Sequence, residues 1–234
     1  MKAKVLSLFP ILFLLLSCSS SDEEEVVYAT APETKPEFDN TAFGVYKGII
    51  MGMNGSLKIV INNGDNIAQA YIYQNNKITQ TLTTTYNFTL GEDITNAEFS
   101  NSQVSFRFSV SANGSNPVIS SYTYIGISNP QAFAIHELSY SQVLCYEGTF
   151  KGDDNGIFKC MVNNGVLTGY VLSSGSDETY TTSAVVTNNQ FNAVFGNVSS
   201  GASFDGQITT ISCAGNWNNP TFGESGTFRG KRTL

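Results

Sequence analysis

Two stretches of the chain alternate between apolar and polar side chains in the same way. Residues 54–64 read NGSLKIVINNG and residues 155–165 read NGIFKCMVNNG, sharing Asn-Gly, a central Lys and Asn-Asn-Gly. Phe158, Cys160 and Val162 occupy one parity, and Ile157, Lys159, Met161 and Asn163 the other. In the first copy Leu57, Ile59 and Ile61 stand on the parity opposite Lys58. A period of two is the signature of a strand with one face turned inward. Each copy follows a Tyr-x-Gly, at Tyr46-Lys47-Gly48 and Tyr146-Glu147-Gly148, and precedes a further strand-like run, AQAYIY at 68–73 and TGYVLS at 168–173. A repeat distance of about 100 residues indicates duplication of one β unit, not a many-repeat solenoid.

Asn63-Gly64 and Asn164-Gly165 are hairpin signals, because Asn and Gly accept the positive φ of tight turns. Asp153-Asp154-Asn155-Gly156 reads as another turn. Strand patterns continue over 79–90, 96–111 and 118–127, and then over 180–187, 190–196, 202–209, 212–217 and 226–232. Gly148-Thr149-Phe150-Lys151-Gly152 recurs as Gly226-Thr227-Phe228-Arg229-Gly230, at the start and end of the second unit. A shared pattern on first and last strands suits a sheet that closes on itself and so removes its edges. The patterns predict an all-β fold of antiparallel small barrel or sandwich units in tandem. The first β unit spans 43–128, a connector 129–144, and the second β unit 145–234. In the connector, Asn129 as cap and Pro130 at the first helical position predict one short helix. An interdomain strand is the competing reading.

Upstream, Lys2 and Lys4 precede an apolar run from Val5 to Leu16, too short for a spanning helix of about 20 residues and laid out like a secretory signal peptide over 1–17. Leu15-Leu16-Ser17-Cys18 resembles the bacterial lipobox, which implies cleavage before Cys18 and a lipid anchor there. Several acyl chains, each contributing about 0.8 kcal/mol per buried CH₂, anchor durably where one does not. Asp22, Glu23, Glu24 and Glu25 follow; acids beside an acylated cysteine resemble the export signal that sends Bacteroidota lipoproteins to the cell surface. Pro32, Pro36 and the lack of a sustained period extend the expected disordered tether to residue 42.

Composition narrows the partners. Formal charge is −7, and charged residues make up 13% of the chain against about 25% typically. Gly, Asn, Ser and Thr fill the polar positions, as the many turns of an exported β protein require. An acidic chain has no electrostatic basis for nucleic-acid binding.

Catalytic patterns are sparse. His136 is the chain's one histidine, sits beside Glu137 without a nucleophile motif, and reads as structural. No cofactor and no metal site are expected, since clustered His and Cys ligands are absent from the sequence. Asp153 fails as the start of a calcium loop, because the twelfth position is Asn164. Cys145, Cys160 and Cys213 remain after Cys18, an odd number. Cys160 and Cys213 read first as small core hydrophobes; a Cys160–Cys213 disulfide is the alternative in an oxidising compartment. Tyr71, Tyr73, Tyr122 and Tyr124 are the candidate ligand contacts. The competing reading places them in the core with hydroxyls at its rim, and the alternation does not assign their face.

The stretch YEGTFKG…NG…GASFDGQI…GNWNN…SGTFRG, over 145–234 and echoed in 43–127, resembles a class of Bacteroidota surface lipoproteins with duplicated Gly-rich β units. More loosely, it is similar to the small β-barrels of transferrin-binding-type lipoproteins. The resemblance is architectural and carries no binding residue. It implies a lipid-anchored outer-membrane protein facing the exterior, with non-catalytic binding of a protein, glycan or small solute. The alternatives are a structural or adhesive envelope protein and a hydrolase with carboxylates between the units.

Overall fold

The two glycine-flanked motifs of the second unit pair with each other. In the computed structural model, which describes residues 28–196, 199 and 201–234, Phe150 stands opposite Phe228, Gly148 opposite Gly230 and Gly152 opposite Gly226. These antiparallel partners belong to β9 (Leu144–Gly152) and β16 (Glu224–Arg232), the first and last strands of their sheet. The strands approach so closely that a Cβ on Gly148 would lie 1.9 Å from the Arg229 carbonyl oxygen, and one on Gly226 2.0 Å from that of Lys151. Glycine is therefore what lets the sheet close here. The expected signal peptide over 1–17, Cys18 and the acids Asp22 to Glu25 lie outside the described residues.

Between them run β10 (Gly156–Asn163), β11 (Val166–Ser173), β12 (Tyr180–Val185), β13 (Gln190–Phe195), β14 (Ala202–Ile208) and β15 (Ser212–Asn219). The order is β12-β11-β10-β9-β16-β15-β14-β13. The first unit repeats the plan with β1 (Gly44–Met51), β2 (Ser56–Ile61), β3 (Ala68–Gln74), β4 (Lys77–Thr83), β5 (Ile94–Ser100), β6 (Val104–Val110), β7 (Val118–Tyr124) and β8 (Gln131–Glu137), in the order β7-β6-β5-β4-β3-β2-β1-β8. The chain is thus all-β, with two nearly closed antiparallel eight-stranded, barrel-like sheets in tandem. Both copies loosen at the same place. β4 meets β5 at the single registered pair Thr83↔Ser100, and among the described residues the corresponding β12 and β13 form no ladder. Asn164 and Gly165 take positive φ of 48° and 72° in a two-residue turn, the hairpin their types demand.

Each barrel has its own core. Leu57, Ile59 and Ile61 point into the first beside Tyr46, Phe99, Phe106 and Phe108. Phe158 and Cys160 point into the second, where Phe158 stacks on Phe204 at 5.6 Å and meets Phe228 at 4.7 Å. Burying each such phenylalanine contributes about 1.5–3 kcal/mol. A third cluster lies between the barrels. Ile49 and Met51 of β1 pack with Cys145, Met161 and Tyr170 of the second unit, and Phe133 stacks on Tyr170 at 4.2 Å.

Two expectations are corrected. The connector predicted as a short helix is β8, paired along β1 from Val45↔Glu137 to Met51↔Gln131. Its apolar residues face both ways, Ala132 into the first barrel and Phe133 and Ile135 toward the second, so the period of two is masked. The described part of the expected tether, 28–42, is not free chain either. Arg232 faces the Tyr28 ring at 4.9 Å and donates to the Ala29 carbonyl at 2.8 Å. Gln142 donates to the same carbonyl at 2.9 Å. Buried Thr34 accepts from the Val45 amide at 3.0 Å, and a 3-10 turn, Pro36–Phe38, leads into β1. Polar side chains with fixed partners, more than apolar period, hold this segment down.

Candidate functional site

The odd-numbered strands of the second barrel end, and the even-numbered ones begin, around one mouth. There Phe150, Val171, Phe195, Phe204 and Trp217 line the floor of a cavity of about 410 Å³. The rim carries Asp154, Ser173, Tyr180, Asn219, Phe222 and Glu224. A cavity of this size, apolar below with a few polar groups above, has the form of a small-molecule site at the mouth of a barrel.

The floor is rigid. Trp217 donates its indole N–H to the Lys151 carbonyl at 3.1 Å and meets Phe150 edge-on at 5.7 Å, while Phe195 meets Phe204 edge-on at 5.0 Å. The rim contrasts with it. Phe222 is 74% exposed and Tyr180 42% exposed, large rings left in solvent on either side of the opening. Asp154 sits in the hairpin turn read from sequence: its carboxylate accepts from the Asn155 amide at 2.6 Å and the Ser173 hydroxyl at 2.8 Å. Tyr180 donates to Glu178 at 2.8 Å. In the duplicated unit Met53 occupies the repeat position of Asp154, and it is buried in the first barrel's core. The first barrel instead has a polar cleft at the opposite strand ends, lined by Asn62, Gln69, Thr83 and Tyr86.

The structure separates the four tyrosines singled out from sequence. Tyr71 and Tyr73 share a half-buried face with Lys58, whose ammonium lies 5.8 Å and 5.6 Å from their ring centres. Tyr122 is no exposed contact. It is buried among the first barrel's aromatics, stacked on Phe106 at 6.0 Å, and its hydroxyl has no hydrogen-bond partner among the described residues. Burial pushes that phenol well above its usual range. Tyr124 packs half-buried against the same core.

Cys160 and Cys213 are side by side inside the second barrel as free thiols, not a disulfide. Burial first, then the hydrogen bond and charge of its neighbour Cys213, pushes the Cys160 thiol up. His136 stacks on Tyr46 at 4.5 Å and donates from Nε2 to the Phe43 carbonyl at 3.0 Å. Burial lowers its pKa, against that carbonyl and Asp39.

Buried charge lies between the units. Lys159, 1% exposed, donates to the Met53 carbonyl at 2.7 Å and pairs with Glu147 at 3.2 Å. Lys47 pairs with Glu137 at 2.8 Å and with Glu33 at 2.9 Å. Burial raises the Glu33 carboxyl, but the ammonium groups of Lys47 and Lys58 outweigh it and hold the carboxyl below its usual value.

Sequence reasoning missed the mouth. Its only local signals are the chain's single tryptophan, in GNWNN, and an exposed phenylalanine next to Gly223 in a turn.

No protein-family model matches this chain, and no curated protein matches it. A solved structure described as the crystal structure of a surface lipoprotein aligns over 80% of this chain and 98% of its own, at 12% identity and a TM-score of 0.29.

Proposed function

We propose that this is a lipid-anchored, surface-facing protein of the outer membrane that binds a small solute, without catalysis, in the mouth of its second barrel. The observation that carries the reading is the aromatic-floored cavity of about 410 Å³, ringed by exposed Phe222 and Tyr180. A large apolar ring left in water is uninformative singly, but two at the rim of one preformed cavity indicate a contact surface. Cys18 supplies the anchor in this reading, and Asp22 to Glu25 direct the chain outward. Because residues from 28 onward are bound to the barrels, the chain between Cys18 and Tyr28 spans at most about 35 Å. Tyr28 is held at the Arg232 end of β16 and the mouth lies at the Glu224 end of the same strand, so the tether leaves the barrel at the end opposite the mouth.

Native mass spectrometry of the full chain after incubation with envelope extract tests this. A retained solute of a few hundred daltons is expected, and Phe222→Asp should abolish its retention while leaving unfolding unchanged. Retention unaffected by Phe222→Asp, or no solute retained at all, would move the reading to a structural or adhesive envelope protein.

A further inference from the structure

The charge around the mouth says what kind of solute fits. Asp154 and Glu224 place carboxylates on the cavity wall, and no Lys, Arg or His lines it among the described residues. Asp154 is held by Ser173 and the Asn155 amide, so its position is fixed before a ligand arrives. Glu224 makes no side-chain hydrogen bond or ion pair within the described residues, leaving all of its acceptor capacity for a ligand. Tyr180 at the rim is hydrogen-bonded to a further carboxylate, Glu178, which increases the electron density its ring offers. Below them, Phe150, Phe204 and Trp217 supply apolar contact, and the faces of such rings, not their edges, carry the negative charge that attracts a cation. The comparison within the chain sharpens the point. The repeat position that holds Asp154 here holds Met53 in the first unit, where the side chain is buried in the core.

Resting on the binding reading above, we infer that the second barrel's mouth takes a small organic cation, an ammonium group carried on an apolar or aryl body. The ammonium sits at the carboxylate rim and the apolar body on the aromatic floor. An anion of the same size meets two carboxylates and no compensating positive group, and is excluded.

Trp217 is the only tryptophan of the chain and lies in the floor, so its fluorescence reports occupancy directly. The full chain in detergent is titrated with benzyltrimethylammonium, benzyl alcohol and phenylacetate. The expected result is saturable binding of benzyltrimethylammonium that weakens with added salt. Benzyl alcohol should bind about tenfold more weakly and phenylacetate not at all. Glu224→Gln should narrow the gap between cation and alcohol by about fivefold. Equal binding of all three, a preference for phenylacetate, or a gap unaltered by Glu224→Gln overturns the cation inference and leaves the mouth as a binding site. No response to any probe also overturns it, and the envelope-extract experiment then decides the binding reading independently.

Discussion

Glu147 and Lys159 face each other across β9 and β10 at 3.2 Å, both buried where the second barrel meets the first. Glu147 also accepts from the Gly55 amide at 2.7 Å, and Lys159 donates to the Met53 carbonyl, so the pair fastens a turn of one barrel to the wall of the other. Removing one partner strands the other's charge in a dry interface. Lys159→Met should cost about 3–5 kcal/mol in urea unfolding. Adding Glu147→Gln, which keeps an acceptor for Gly55 without the charge, should recover part of that loss. A single mutant as stable as wild type would mean the interface is wet and the pair weak.

Stability should fall on mild acidification through His136. Its folded pKa lies below the unfolded value of 6.5, chiefly through burial. Between the two values the unfolded chain holds a proton that the folded one does not, so stability is lost as pH falls through 6.5 and levels off below the folded value. His136→Gln should flatten the urea midpoint across that window, whereas an identical slope in the mutant would assign the effect elsewhere. Glu33 adds a second, separate window. Its folded pKa is depressed below 4.5, so its contribution is present above 4.5 and is lost as pH falls toward the folded value.

The segment from Tyr28 to Thr34 should resist protease in the native protein. Glu33→Gln leaves Lys47 with Glu137 as its remaining ion-pair partner and removes the Lys58–Glu33 ion pair. The expected cost is about 1–3 kcal/mol, with faster cleavage before Lys35. Rapid cleavage there in the wild-type chain would show that the segment is tether after all.

The core thiols should be silent. Burial pushes Cys145 up to about 12 and raises Cys160 as well, and the thiolate is the reactive form. In a Cys18→Ser chain a thiol reagent at pH 8 should label nothing until denaturant is added, then label three cysteines. Only one labelled cysteine after unfolding would reveal a Cys160–Cys213 disulfide.

Anchoring is tested at Cys18. Cys18→Ala should move the protein out of the membrane fraction, and persistent membrane association would remove the lipobox reading. Replacing Asp22 to Glu25 by Ala should keep the protein lipidated but shield it from external protease in intact cells.

Much of the barrel plan was legible in the chain. Parity at Leu57, Ile59, Ile61, Phe158 and Cys160 assigns the inward faces, because a strand shows its two sides on alternate residues. The paired GTFKG and GTFRG motifs foretell closure, and Asn164-Gly165 its hairpin. Parity says which residues share a face but not what covers that face. Ile49, Met161 and Lys159 are outward residues of their barrels, and only the packing of one barrel on the other buries them. The same double covering hid β8 behind a helix-like cap signal. The mouth was out of reach for a different reason: Phe150, Asp154, Tyr180, Trp217 and Glu224 come from strand ends spread over the whole second unit. Only closure of the sheet brings those ends around one cavity, so the scaffold is a property of the local pattern and the site a property of the tertiary structure.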